Sequence, residues 1–311
     1  MNAGITPVGH VQDMPKAPSQ LSLEECRRPD SPFVAMVAEA AVRHDVEPRA
    51  LAVRTLLQLP RVATFSGQIN RRLVETELRR SAEGLRIDQK AIRELIPTEK
   101  FALRDLRFVE LEAPVAEAIF SRLHYLRNAR TGSLNYALVD PMHGLPVTMC
   151  SVSPLEWKRV ARQAESQFGV PQAKIWDVSR VYSFDVAPPN AISSLLAKVR
   201  TTIRQLDAQV DLLSTAVDQN LGFHGSSYRA ANWQLWMSIQ ARPYLYVDRV
   251  YASPRQLRQR FETANLAELA ARHGAIVEQS RARLLDSLIF CCRVRRETEQ
   301  VAPDDQRRLR R

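Results

Sequence analysis

Disulfide pairs, membrane-length apolar runs and lysine are all scarce in this chain, and each shortage removes a class of protein. The 311 residues hold four cysteines, Cys26, Cys150, Cys291 and Cys292, with no Cys-x-x-Cys pair. That is too few to staple a chain of this length, so reduced thiols in a cytoplasmic protein are expected. The adjacent Cys291 and Cys292 lie in the apolar stretch LLDSLIFCCRV, which reads as core packing. No apolar run approaches the roughly 18 residues of a membrane helix, so no membrane partner is expected. The opening MNAGITPVGHVQDMPKAPSQ has no basic region leading into an apolar one, which argues against a secretory signal. Its prolines and polar residues read as a disordered lead over residues 1–30. The basic residues are nearly all arginine, and the net charge is +10. Arginine suits bidentate phosphate contact, and the surplus favours a polyanion, of which nucleic acid is the commonest. An arginine-rich proteome would give the same excess.

What is present is enough apolar residue, 45%, for a sizeable core. From Phe33 to Pro60 apolar clusters recur at helical spacing, and Pro48 stands where a second helix begins. QINRRLVETELRRSAEG predicts a third helix stopped at Gly84, and IDQKAIRELIP a fourth, with Asp88 as N-cap. Residues 31–100 therefore read as a helical module.

After Lys100 the pattern changes. LRFVELEA, NYALV, VTMCSVS, IWDVSRVYSFDV and DAQVDLLSTAVD read as strands, and APVAEAIFSRLHYL, PLEWKRVARQAESQFG and AISSLLAKVRTTIRQL as helices. NWQLWMSIQ and YLYVDRVYA predict a further strand pair. Hairpins mixed with crossovers predict an α/β domain over residues 101–252, built on a half-parallel sheet covered by helices. Residues 253–295 read as a helical arm in which Arg255, Arg258 and Arg260 flank Leu257 and Phe261, and residues 296–311 as a basic disordered tail.

Three segments could carry chemistry. In RVYSFDVAPPNAISSLLAKV a strand runs into a helix that Asn190, Ser193 or Ser194 could cap, and free first-turn amides make an anion site. VDQNLGFHGSSYRAANW crowds Asp218, His224, Tyr228, Asn232 and Trp233 behind a strand, where open sheets place ligands. SRLHYLRNARTG ends a helix on His124 and Tyr125, and a histidine titrates near neutral pH. His124, His143, His224 and Asp218 match no standard metal-ligand spacing, which leaves metal dependence open.

Together these segments resemble the GNAT acyltransferase superfamily, most closely its phage Mom-type branch of DNA-modifying proteins of mobile elements. The likeness rests on the His124–Tyr125 pair, Asp218 at a strand end, and Gly222, Phe223, Gly225, Tyr228, Arg229, Ala230, Ala231, Asn232 and Trp233 in the closing motif. It implies a GNAT-like mixed central sheet and transfer of an acyl or acetamido-type group from acyl-CoA or another acyl donor to the exocyclic amine of adenine in DNA. One departure is that APPNAISS, in the place of the donor loop, has no glycine. On that resemblance Asp218 or His124 is the base or orienting group, and Tyr228 protonates the leaving group or contacts the base. Ser183, Asp185, Asn190, Ser193 and Ser194 face the donor, and amides at the end of the Tyr182–Val186 strand hold the oxyanion. Tyr125 and Trp233 stack on an extruded base, while Arg127, Arg130, Arg229 and Asn232 meet the nucleic acid.

Two other readings stay open. The same residues would serve a GNAT enzyme that acylates a small molecule, a protein or an aminoacyl-RNA. A non-catalytic DNA-binding protein with a degenerate GNAT fold would instead use a helix-turn-helix-like unit carrying Arg71, Arg72, Arg79 and Arg80, residues that otherwise form a solvated helix face.

Overall fold

The computed structural model describes residues 19–274 and 276–294. The disordered lead expected for residues 1–18 and the tail expected for residues 296–311 lie outside it. Residues 20–26, read as part of that lead, form strand β1 (Gln20–Ser22) and helix α1 (Leu23–Cys26). Helices α2 (Pro32–His44) and α3 (Pro48–Val62) follow, each with proline in its first turn, where a missing N–H costs nothing. Strand β2 (Gln68–Asn70) pairs with β1 and leads into α4 (Arg71–Ala91).

Helix α4 corrects two expectations. It runs unbroken through Gly84, so no second helix starts at Asp88, and the helix-turn-helix reading loses its turn. Asp88 is not an N-cap but a buried carboxylate. Arg71 and Arg80 pair with Glu75 and Glu77 of the same helix.

The remaining elements build a seven-stranded mixed sheet and a small three-stranded one. In chain order they are β3 (Arg107–Glu110), α5 (Ala113–Leu123), β4 (Leu134–Val139), β5 (Pro146–Pro154), α6 (Lys158–Phe168) and β6 (Ile175–Ser183). Then come α7 (Ala191–Leu206), β7 (Leu212–Asp218), α8 (Ser226–Ala230), β8 (Gln234–Ile239), β9 (Leu245–Val247) and β10 (Val250–Tyr251). Helices α9 (Pro254–Phe261) and α10 (Leu266–His273) and strands β11 (Val277–Gln279) and β12 (Ser287–Arg293) complete the described chain. The strand order is β10-β9-β11 in the small sheet and β3-β4-β5-β6-β7-β12-β8 in the large one. Only the β6–β7 junction is parallel, so the sheet is less than half-parallel.

The chain after Pro254 is not all helical. LIFCCR is the inner strand β12, wedged between β7 and β8. A continuous apolar run of this length fits a buried strand as well as a helix, which is why periodicity alone misreads it. Side chains alternate along a strand, and Cys291 and Cys292 enter two different core clusters. All four thiols are buried and free. Strand β8 therefore pairs with β12, not with YLYVDRVYA. That segment folds on itself as β9 and β10, joined by β11.

Helices α2–α5 share one continuous core with a face of the sheet, through Ala137, Val139, Met149 and Phe184. Helix α7 covers the opposite face through Leu195, Leu196, Val199 and Ile203. The arm after β8 bridges sheet and helices. Tyr246 is fully buried and its hydroxyl donates to the Leu57 carbonyl at 2.9 Å. Leu257 of α9 packs against Val247 of β9, and the side chain of Arg255 lies outside what is described. Among the described residues, no helix is long and apolar enough to cross a membrane.

Candidate active site

Pairing between β6 and β7 lasts three residues, Ile175–Asp177 against Leu212–Ser214. Beyond them the facing edges part, and a cleft of about 250 Å³ opens between residues 178–183 and 215–217. The loop at residues 222–228, Ile192 of α7 and the start of α3 close it. Thr215 bridges the fork, its hydroxyl donating to the Val178 carbonyl at 2.9 Å.

Tyr228 enters this first cleft from α8. Glycine is required just before that helix, because Gly225 has φ +74° and a Cβ there would meet the Phe290 ring at 2.3 Å. The Tyr228 ring lies 5.5 Å from that of Trp233 and 5.8 Å from that of Phe290, and its hydroxyl is 3.4 Å from that of Thr215. Burial pushes the phenol up to about 12. At neutral pH it is a proton donor.

His124 ends α5, and its Nδ1 accepts the Leu126 amide proton at 3.2 Å. Burial, with the charge of Arg180 adding to it, holds the imidazole well below its ordinary value. The ring is therefore neutral, and with Nδ1 accepting, its proton sits on Nε2. Tyr125 stacks on it at 4.5 Å, and burial followed by the Asp218 charge keeps that phenol protonated too.

The His124–Tyr125 pair also walls a second cleft, of about 550 Å³, between α3, α4 and the β9–β10 hairpin. Arg54, Arg80, Arg127 and Arg249 line it. Asp88, which does not itself line the cleft, holds two of these arginines, bound by Arg54 at 2.8 Å, Arg127 at 2.9 Å and also Arg122 at 3.2 Å. Burial alone would raise that carboxyl, but the hydrogen bond from Arg127 and the charge of Arg54 outweigh it and hold it below its usual value.

The model of the Mom protein family matches residues 105–287, more than half of the chain. This chain belongs to the Mom protein family. The match runs from β3 to the start of β12 and leaves α1–α4 outside. No curated protein matches the chain. Among solved structures, the ribosomal-protein-S18-alanine N-acetyltransferase of Escherichia coli matches at 10% identity and TM-score 0.36, over 63% of this chain and 99% of that one. A Salmonella typhimurium protein solved with its cofactor acetyl-CoA matches at 9% identity and TM-score 0.35, over 64% of this chain and 98% of its own. The aminoglycoside N(6')acetyltransferase of Legionella pneumophila matches at 6% identity and TM-score 0.30, over 61% and 92%.

In this Mom-family chain the residues singled out from sequence divide sharply. His124, Tyr125, Ser183 and Tyr228 share the first cleft. Asp218 does not line it. Its carboxylate accepts from the Tyr244 hydroxyl and, at 2.9 Å, from both the amide and the side chain of Asn220, so it braces the turn after β7 rather than serving as a free base. Asp185 pairs with Arg49. Of the strand-end amides expected to hold an oxyanion, those of Phe184 and Asp185 are already bonded, to the Val147 carbonyl and to Glu47.

Asn190 adopts φ 65° and makes no side-chain cap, and the Ser193 hydroxyl turns back to the Asn190 carbonyl. The Ser194 amide bonds the same carbonyl. That leaves the Ile192 and Ser193 amides without an acceptor among the described residues, beside the cleft that Ile192 lines. Trp233 is only 3% exposed, so it supports Tyr228 and cannot stack on a base. Arg130 is buried against Glu156, Asp177 and the Pro154 carbonyl, not facing phosphate. Arg229 braces the loop through the His224 carbonyl and covers Phe290, while Asn232 is exposed outside both clefts.

His124, His143, His224 and Asp218 do not converge, and among the described residues no group of three or more His, Cys, Asp or Glu is placed to hold a metal. Sequence reading missed Glu47, which accepts from the Tyr182 hydroxyl at 2.6 Å, and Arg49. It also missed Arg249. Their only local signal was the glutamate before Pro48.

Proposed function

We propose that this protein transfers an acyl-type group to a nucleic-acid amine, the exocyclic amine of adenine in DNA. The observation that carries the reading is the shared wall: His124 and Tyr125 separate a cleft edged by parted strands from a cleft lined by arginines. One suits a neutral acyl chain and the other a polyanion.

The first cleft fits an activated acyl donor. Unpaired strand edges offer backbone donors to an extended ligand, and the free amides of Ile192 and Ser193 at the start of α7 favour an anionic group, although the loop before them has no glycine. Acyl-CoA, or another acyl donor, supplies the activated acyl group when bound there. The His124 Nε2–H is the donor for the acyl oxygen as charge develops on it. The new N–C bond forms as the bond to the leaving group breaks. Tyr228 gives its proton to that leaving group and takes the one lost by the amine, so protons balance without a carboxylate base.

Nucleoside mass spectrometry of DNA from cells expressing the wild type and Tyr228→Phe tests this. The wild type is expected to add mass to adenine, and the variant to do so about 10²–10⁴ times more slowly. Unaltered adenine with the wild type would shift the acceptor to a small molecule, a protein or an aminoacyl-RNA. Full activity in Tyr228→Phe would remove its role.

A further inference from the structure

We infer that the second cleft is the seat of an extruded nucleotide, and that a strained hairpin holds Arg249 there for its phosphate. The inference rests on the nucleic-acid reading above but concerns residues largely outside the sheet.

Strands β9 and β10 are joined by two residues, Asp248 and Arg249, with φ 51° and 66°. Such a turn favours glycine or asparagine, because a Cβ in the left-handed region crowds the backbone. The chain instead places an arginine there, exposed, lining the cleft and without a hydrogen bond or ion pair among the described residues. Arg127, which lines the same cleft, is also left-handed, with φ 51°. Strain of this kind persists where surrounding structure enforces it, and it clusters at ligand sites. Here it sets two guanidinium groups on one cavity.

Two more observations point to what fills the space. The Gln58 Oε1 is shut off from water with no donor, although Gln58 lines the cleft. A buried acceptor left unmet is costly, and a turn of the half-buried Gln58 side chain into the cleft brings it to the N–H groups on the edge of a base. The rings of Tyr125 and Tyr251 line the same cavity and offer stacking surface. A third cleft continues the path, because Arg127, Val250 and Tyr251 line both, and Arg260 of α9 lies along it. The nucleotide thus reaches His124 and Tyr125 while its strand runs on past α9.

The test is fluorescence anisotropy of the full chain with labelled single-stranded and duplex DNA across a salt series. Arg249→Gly relieves the turn, so it is expected to fold at least as stably as the wild type. It is expected to bind DNA about tenfold more weakly, with the salt slope reduced by about one. Arg249→Lys is expected to keep the slope. If the wild type binds but Arg249→Gly matches it in affinity and slope, this seat is wrong and the transferase reading stands. If the wild type binds neither DNA, both fall.

Discussion

The two clefts meet at one pair of side chains yet are built by opposite means. The first is made by a sheet that stops pairing, and its working groups are backbone edges and neutral phenol and imidazole. The second is made where α3, α4 and the β9–β10 hairpin converge, and it is held open by buried charge, with three arginines on Asp88. Arg49 and Arg180 also line the first cleft, and Glu77 and Asp248 the second, so the contrast is one of degree: four arginines against two acids in the second attract a polyanion. The proposed transfer of an acyl group to a nucleic acid would draw on both clefts. The Mom-family match contains nearly all of the first cleft but only part of the second, since α3 and α4 precede residue 105.

Changes that damage one cleft and spare the other sharpen this contrast. The largest effect is expected for Asp88→Ala, which leaves Arg54, Arg122 and Arg127 facing one another. Urea unfolding should show a loss of about 3–5 kcal/mol. The Asp88 carboxyl is held below its ordinary value in the folded state. Its stabilisation is therefore fully present above the unfolded value near 3.8 and is lost as pH falls through the lower folded value. The gap between wild type and variant should be flat at neutral pH and close only in acid. A gap that closed at neutral pH would mean the arginines do not depend on this carboxylate.

Gly225→Ala should come next, at about 2–4 kcal/mol, because it combines a left-handed backbone with a clash on Phe290. Its damage should fall on the first cleft, through displacement of Tyr228, and leave DNA binding intact. The smallest effect is expected for Gly84→Ala in the middle of α4. A Cβ there meets only the end of Arg54, at 3.9 Å. Thermal unfolding should show a gain of about 0.5–1 kcal/mol. Because Gly84 lines the second cleft, any loss should be in DNA affinity alone.

Much of the fold was legible. Strands β4–β7 and helices α5–α7 follow from alternation, from helical spacing and from Gly169, which ends α6 in a left-handed cap. What misled was residue chemistry with two outlets. Gly84 was read as a stop, yet its backbone stays helical and α4 continues, since tertiary packing overrides a propensity of under about 1 kcal/mol. Asp88 looked like a cap because aspartates often are, and its three partners come from α3, from α5 and from the loop after α5. Asp218 looked catalytic at its strand end, but Tyr244, 26 residues later, claims its carboxylate.

By itself, the amino-acid order determined the α/β class and the crossover into α7, and it singled out His124, Tyr125 and Tyr228, which the fold brings to one cleft. Those are local matters of periodicity, turn chemistry and side-chain type. Only the tertiary structure decided that β6 and β7 part after three pairs, that Trp233 and Arg130 are interior, and that Arg249 and Arg127 line one cavity. Each depends on groups far apart in sequence meeting in space, where burial and partner choice outweigh what any single residue prefers.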